Sequence, residues 1–120
     1  MMTLLMRFYK AFLYSWNGLK FAWRSQWAFR VEIVILLLAI PFALLLYQTP
    51  TELILMISSL VLLPMLELFN TAIETTVNRI SFDQHELSGL AKDLASAGMF
   101  VVGINAVIVW GVIIVARLFG

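Results

Sequence analysis

Three long apolar stretches, at residues 31–47, 52–79 and 94–118, constrain the fold of this chain more than any other feature. A helix that crosses the hydrocarbon core of a bilayer needs about 20 residues, and these stretches are close to that length or longer. Lipid offers no hydrogen bonds to the backbone, so spanning segments of this kind form helices. The sequence therefore predicts an all-α membrane protein with three transmembrane helices in a single domain, residues 1–120.

Composition leads to the same class and excludes several others. Apolar residues make up 62% of the 120 residues and charged residues 12%, whereas soluble domains have roughly half and a quarter. A soluble domain of this size has too small an interior to bury so much apolar surface. The chain has no cysteine, which excludes disulfides, thiolate nucleophiles and cysteine metal sites. The net charge of +1 gives no reason to expect a nucleic-acid partner.

Residues 1–30 show a different pattern, typical of a basic amphipathic helix that lies in the membrane interface. Aromatic and leucine side chains share one helical face, and polar or basic side chains share the other. The apolar face consists of Leu5, Phe8, Phe12, Trp16, Leu19 and Trp23, and the polar face of Lys10, Asn17, Lys20 and Arg24. We interpret the tryptophans, including Trp27 and Trp110, as interface anchors, and the basic residues as contacts to anionic lipid headgroups.

The distribution of basic residues predicts the orientation in the membrane. Lys and Arg accumulate on the cytoplasmic side of membrane proteins. Seven of the eight basic residues fall on one side of the three spans, namely Arg7, Lys10, Lys20, Arg24, Arg30, Arg79 and Lys92, and only Arg117 falls on the other. We therefore expect the N-terminal helix and the 81–93 loop to be cytoplasmic, with the C-terminus on the opposite side.

The strongest chemical signal is a polar stripe in the 52–79 segment. Glu67, Asn70, Glu74 and Asn78 are spaced so that they share one helical face. Ionisable residues within a span are costly and usually functional. One carboxylate suits a general base, and another suits Mg²⁺, which takes carboxylate oxygens. The alternative is a polar seam that joins helices or subunits.

The 81–93 segment reads as a polar connection that contains Asp83, His85, Glu86, Lys92 and Asp93. Lys92 is suited to neutralising phosphate oxygens, and His85 to donating a hydrogen bond to a ligand. The segment has no Walker phosphate-binding loop, because its glycine spacing is wrong. Taken alone, these residues fit an ordinary solvated loop better than a binding site.

Four short motifs together resemble the prokaryotic diacylglycerol kinase family of small integral-membrane lipid kinases, which includes undecaprenol kinases. They are Tyr14-Ser15-Trp16-x-Gly18-Leu19, Ala28-Phe29-Arg30, Glu67-Leu68-x-Asn70-x-Ala72-Ile73-Glu74 and His85-Glu86-Leu87-Ser88-Gly89-x-Ala91-Lys92-Asp93. The resemblance implies a homotrimer of three-span subunits with active sites between subunits at the cytoplasmic interface. It also implies transfer of the γ-phosphate of ATP, with Mg²⁺, to diacylglycerol in the bacterial inner membrane.

The resemblance assigns roles residue by residue. Glu67 matches the catalytic base, with Asn70 beside it, and Glu74 matches a metal-bridging carboxylate. The nucleotide contacts implied are Arg7, Tyr14, Gln26, Glu74, Asp83, Gln84, His85, Lys92 and Asp93. The lipid-substrate positions implied are Trp16, Trp23, Arg30, Glu32, Glu67, Ser96 and Trp110.

The chain departs from the family pattern at four positions. Gln26 stands where the family usually has a second metal-bridging Glu, so the metal ligands implied are Glu74 and Gln26, with reduced metal affinity. Asn78 stands where Asp is common, Leu90 replaces a frequent Arg, and Pro64 precedes Glu67 by one helical turn. Two further readings stay open: undecaprenol as the acceptor, and a non-enzymatic membrane protein such as a small transporter or an inactive assembly partner.

Overall fold

A computed structural model describes residues 3–120, and four helices account for nearly all of them. They are α1 (Leu4–Ser25), α2 (Trp27–Leu46), α3 (Pro50–Ile80) and α4 (Glu86–Phe119). Helices α2, α3 and α4 are long and apolar enough to cross a membrane. The prediction of an all-helical chain with three membrane-spanning helices is therefore confirmed.

The break between α1 and α2 falls at Gln26, so that α2 begins at Trp27, four residues before the predicted start of the span at Val31. Gln26 has an extended backbone (φ −109°, ψ 102°), although its N–H still donates to the Ala22 carbonyl oxygen at 2.9 Å. Helix α2 therefore has 20 residues, where the sequence predicted seventeen. The earlier start brings α2 to the length that a span requires.

The predicted 81–93 connection is much shorter in the structure, because α4 begins at Glu86. His85 caps this helix: its Nδ1 accepts a hydrogen bond from the Leu87 backbone N–H at 3.1 Å. Glu86 in the first turn also favours the start of a helix, since its negative charge meets the positive end of the helix dipole. Lys92 and Asp93 consequently lie on the helix and not in a loop.

A capping box fixes the start of α3 at the opposite end of the bundle. The Thr49 Oγ1 accepts from the Glu52 backbone N–H at 3.2 Å, and a Glu52 carboxylate oxygen accepts from the Thr49 N–H at 3.2 Å. The N-cap of α3 is therefore Thr49. Pro50 follows as the first helical residue, where its missing N–H costs nothing.

Helix α3 is the centre of the bundle, since α2 and α4 pack mainly on it and less on each other. A small core of Ala43, Met56 and Ile113 joins the three helices near the 47–49 turn. Only 11% of the most apolar window of α2 and of α4, and 28% of that of α3, is buried within the chain. Most of the apolar surface must therefore be covered by lipid or by other protein.

Arg117 ties all three spans together beside the 47–49 turn. Its Nε donates to the Leu46 carbonyl oxygen at 2.8 Å, and its guanidinium pairs with the Glu52 carboxylate. This is the only ion pair formed within residues 3–120. Arg117 thus donates a hydrogen bond to a carbonyl oxygen in the last turn of α2, which has no partner within the helix. The Glu52 carboxylate neutralises the charge of Arg117, the one basic residue at this end of the bundle.

We expect Arg117→Ala to lower the unfolding temperature of the protein in detergent micelles by several degrees. The substitution leaves the Leu46 carbonyl and the Glu52 carboxylate without their shared donor, and unpaired polar groups in an apolar setting are costly. Thermal unfolding followed by circular dichroism measures the change. Arg79→Ala is the matched control, because Arg79 is exposed at the other end of α3. Equal effects of the two substitutions would contradict the role of the Arg117 contact.

Candidate functional site

The first part of the candidate site is a pair of carboxyl groups between α2 and α3. Glu67 on α3 is only 7% exposed, and Glu32 on α2 is partly buried. The two carboxylates are close enough to repel each other electrostatically. No Lys, Arg or His nitrogen within residues 3–120 lies within 4.0 Å of either carboxylate. Buried acids without a cation normally have a functional explanation.

One oxygen of this pair lacks any hydrogen-bond donor among the described residues. Glu32 Oε2 is buried and has no partner. A native protein rarely leaves a buried carboxylate oxygen unpaired, since desolvation then goes uncompensated. The oxygen is therefore available to accept a hydrogen bond from a hydroxyl group that enters between α2 and α3.

The polar stripe on α3 becomes more exposed toward the 81–85 turn. Glu67 is buried, Asn70 is partly buried and Glu74 is exposed. Seven residues of helix place Glu74 about 10 Å nearer the end of α3 than Glu67. The carboxylates of Glu67 and Glu74 still interact electrostatically. The stripe thus connects a buried acid to an exposed one on the same helical face.

The exposed acid fits a magnesium ion that is carried by a phosphate ligand. Within residues 3–120, no three acidic or histidine side chains gather into a metal cage. Mg²⁺ does not need one, because it keeps several waters and usually takes one or two carboxylates together with substrate phosphates. Glu74 can supply such a carboxylate. Gln26 Nε2 donates to Ser25 Oγ at 3.4 Å, which leaves its amide oxygen free to act as a ligand.

A cavity of about 480 Å³ opens where α3 connects to α4. This volume is within the usual range for a small-molecule site. Four predicted nucleotide contacts line the cavity: Asp83, Gln84, His85 and Lys92. Sequence reasoning missed its other lining residues, which include Ser81, Phe82, Ser88 and Gly89. The only signal for Ser88 and Gly89 was their position inside the His85–Asp93 motif.

Hydrogen-bond donors face this cavity. His85 Nδ1 accepts the Leu87 N–H, so the proton of the neutral imidazole is on Nε2, which can donate to a ligand. Lys92 Nζ donates to Asn78 Oδ1 at 3.2 Å, and no carboxylate oxygen lies within 4.0 Å of it among the described residues. The N-terminus of α4 adds the positive end of a helix dipole. This arrangement suits an anion.

The predicted lipid positions divide among several places. Trp16 and Trp23 line a cavity of about 430 Å³ between α1 and α2, and Arg30 lines a smaller one of about 270 Å³ on α2. Ser96 is exposed on α4. Trp110 Nε1 donates to the Met56 carbonyl oxygen at 3.0 Å. That contact lies about 16 Å along α3 from Glu67, since eleven residues separate Met56 from Glu67.

Other predicted residues are not brought into the cavities described above. Arg7 and Tyr14 are exposed on α1, and neither lines the cavity at the 81–92 segment. Asp93 is exposed on α4 beyond the lining residues, and Gln26 lies at the junction of α1 and α2. One copy of the chain thus assembles the acidic pair and the cavity, but not the full set of predicted nucleotide contacts.

Comparison with known proteins identifies the family. A family model described as prokaryotic diacylglycerol kinase matches residues 13–114. The diacylglycerol kinase of Haemophilus influenzae is 48% identical over 98 residues, which cover 82% of this chain and 83% of that protein. Diacylglycerol kinase of Escherichia coli K12 is 44% identical over 108 residues, 90% of this chain and 88% of that protein.

A more distant relative gives the same result. Diacylglycerol kinase of Pseudomonas aeruginosa is 39% identical over 112 residues, 93% of this chain and 91% of that protein. The matched region includes the acidic stripe of α3, the 81–92 cavity and most of each membrane-spanning helix. With this extent of similarity, the chain belongs to the prokaryotic diacylglycerol kinase family.

Proposed function

We propose that this protein transfers the γ-phosphate of ATP to the hydroxyl group of diacylglycerol, giving phosphatidic acid. The observation that carries the proposal is the buried Glu67 carboxylate, which has no cation partner and lies on the same helical face as the exposed Glu74. A lipid hydroxyl remains near the membrane surface and ATP remains in water. A base that serves both substrates must lie at the boundary between membrane and water, and the buried Glu67, two turns from the exposed Glu74, fits that position.

In the proposed reaction, the Glu67 carboxylate accepts the proton of the diacylglycerol hydroxyl. The hydroxyl oxygen forms a bond to the γ-phosphorus while the bond from that phosphorus to the bridging oxygen breaks, and ADP leaves. Asn70, one turn along the same face, orients the hydroxyl through its amide. Phosphoryl transfer depends mainly on positioning and on neutralisation of charge, so a short chain is sufficient.

The nucleotide binds with its phosphates toward the cavity at the 81–92 segment. Lys92 and the Nε2–H of His85 contact phosphate oxygens, and the α4 N-terminus contributes its dipole. Asp83 and Gln84 line the same cavity, and Asp93 follows on α4. Arg7 and Tyr14 on α1 complete the nucleotide contacts from another subunit.

A magnesium ion would be held by Glu74 through its carboxylate and by Gln26 through its amide oxygen. When bound, the ion neutralises charge on the phosphates. Because Gln26 brings no negative charge, the protein itself attracts the ion only through Glu74.

The lipid substrate enters from the bilayer. Its hydroxyl reaches Glu67 beside Glu32 and Arg30, and its chains run along the apolar helices past Ser96 and toward Trp110. A cavity of about 730 Å³ between α1 and α3, lined by residues including Gly18, Leu68 and Thr71, offers room for an acyl chain next to the turn that carries Glu67. Trp16 and Trp23 hold α1 at the interface.

The working form is a homotrimer with active sites shared between subunits. Small residues on α4 support association in the membrane, because Gly103 and Gly111 have open space beside them and small residues let helices approach closely. The separation of Arg7 and Tyr14 from the cavity within one chain also supports a site completed by a neighbour. The N-terminal helix and the 81–85 turn are cytoplasmic, the C-terminus lies on the other side, and the membrane is the bacterial inner membrane.

We expect Gln26→Glu to lower the Mg²⁺ concentration required for half-maximal activity by about tenfold, because a second carboxylate binds the ion more tightly than an amide. Activity measured over a range of free Mg²⁺ at fixed ATP gives this value. Asn17→Asp is the control, because it adds a carboxylate to an exposed position of α1 away from Gln26. An unchanged Mg²⁺ requirement in Gln26→Glu would mean that position 26 does not contact the metal.

The proposed function is tested with purified protein in mixed micelles, Mg²⁺ and ATP labelled on its γ-phosphate. Diacylglycerol and undecaprenol are offered separately, and the label in extracted lipid is measured. We expect label in phosphatidic acid with diacylglycerol. Label only in undecaprenyl phosphate would establish the alternative acceptor. No label in either lipid would support a non-enzymatic role and reject the proposal.

A further inference from the structure

The contact between Lys92 and Asn78 is the feature of the cytoplasmic end that the proposed mechanism does not use. Asn78 lies in the last turn of α3, and Lys92 lies in the second turn of α4. Lys92 Nζ donates to Asn78 Oδ1 at 3.2 Å. Among the described residues, no other hydrogen bond joins a side chain of α3 to a side chain of α4 at this end of the bundle.

We propose that Asn78 is a positioning residue that holds the Lys92 ammonium group over the cavity for the phosphates of a nucleotide. The inference deepens the proposed function, on which it rests for the identity of the anion. Asn78 does not line the cavity, whereas Lys92 does. Asn78 therefore acts through Lys92.

The physical argument begins with the flexibility of lysine. Its ammonium group sits at the end of a four-carbon stem with several freely rotating bonds. An exposed lysine such as Lys92 loses that freedom when it binds a phosphate, which weakens binding. The Asn78 amide oxygen fixes one of the three N–H groups beforehand. The other two N–H groups stay available to the ligand.

The acceptor is also neutral, which preserves the charge of the lysine. The cavity lining already includes the carboxylates of Asp83 and Glu86, against one lysine. None of these carboxylates lies within 4.0 Å of Lys92 Nζ. Asn78 thus restrains the ammonium group without forming an ion pair that would compete with phosphate for it.

The test measures nucleotide binding separately from turnover. Binding of a non-hydrolysable ATP analogue with Mg²⁺ is followed by calorimetry in detergent micelles, and kcat and KM for ATP are measured with diacylglycerol. We expect Asn78→Ala to raise both the Kd of the analogue and the KM for ATP about fivefold, the usual scale for one solvent-exposed hydrogen bond. We expect kcat to change by less than twofold.

Three further variants separate positioning from a merely structural role. Asn78→Asp retains an oxygen acceptor but adds a negative charge that pairs with Lys92 and competes with phosphate, so its Kd should also rise above that of the unmodified protein. In a Lys92→Ala background, Asn78→Ala should have no further effect on Kd. Thr76→Ala is the matched control, because the Thr76 hydroxyl donates only to the Ala72 carbonyl oxygen of its own helix, and its Kd should be unchanged.

Several results would overturn the inference. These are an unchanged Kd in Asn78→Ala, the same loss of binding in the presence and absence of Lys92, or a fall in kcat without a rise in KM. A protein that binds no nucleotide analogue overturns it as well. Nucleotide binding that depends on Asn78, together with no phosphorylation of diacylglycerol, would reject the proposed function while supporting the inference.

Discussion

Glu67→Gln is expected to reduce ATP-dependent phosphorylation of diacylglycerol by a factor of about 10³, with the protein still folded. Glutamine has nearly the same size and still accepts hydrogen bonds, but it cannot take the hydroxyl proton. General-base catalysis contributes roughly 10² to 10⁴ in rate. Because Glu67 is buried without a cation, removal of its charge breaks no ion pair. The loss should therefore appear in kcat, while binding of the nucleotide analogue should not change.

The matched control for this result is Glu52→Gln. Glu52 lies on the same helix α3, at its opposite end, where it caps the helix and pairs with Arg117. We expect this substitution to lower the unfolding temperature and to leave the turnover of the folded protein unchanged. Retained activity in Glu67→Gln, or an equal loss in Glu52→Gln, would contradict the assignment of Glu67 as the base.

Glu74→Gln is expected to cause the second-largest effect, a loss of about 10² in activity at moderate Mg²⁺. Glu74 is the proposed metal-binding carboxylate, and Gln26 cannot compensate because its amide carries no charge. A metal that stabilises a phosphoryl group contributes several kcal/mol to transition-state stabilisation. Part of the loss should be recovered at high Mg²⁺, since a weakened site can still be filled.

A titration of activity against free Mg²⁺ distinguishes Glu74 from Glu67. Activity of Glu74→Gln should rise over a Mg²⁺ range in which the unmodified protein is already saturated. Activity of Glu67→Gln should not respond to additional metal. If Glu74→Gln has the Mg²⁺ dependence of the unmodified protein, Glu74 does not contact the metal, and another residue must supply the carboxylate.

The number and character of the helices could be predicted from the sequence because hydropathy reports directly on contact with lipid. The limits of the helices depend on local backbone detail, which hydropathy does not report. Gln26 interrupts the chain without a glycine or proline to mark the break. The early start of α4 depends on the His85 side chain acting as a cap, a role less common than that of serine, threonine or aspartate.

The candidate site likewise contains one part that the sequence predicts and another part that it does not. Periodicity identified the acidic stripe, because Glu67, Asn70 and Glu74 are neighbours on one helix. Contacts between helices join residues far apart in sequence, such as Asn78 with Lys92 and Glu52 with Arg117. A single sequence carries no direct signal for such pairs. The same limit applies to the residues that we propose a second subunit supplies.

The most direct test of lipid phosphorylation at the membrane surface is the ratio of lipid phosphate formed to ADP released. Purified protein in diacylglycerol-containing micelles is given Mg²⁺ and labelled ATP, and both products are measured over time. The account predicts one phosphatidic acid for each ADP, with both products absent when diacylglycerol is omitted. Release of ADP at the same rate without diacylglycerol, or without label in lipid, would contradict it.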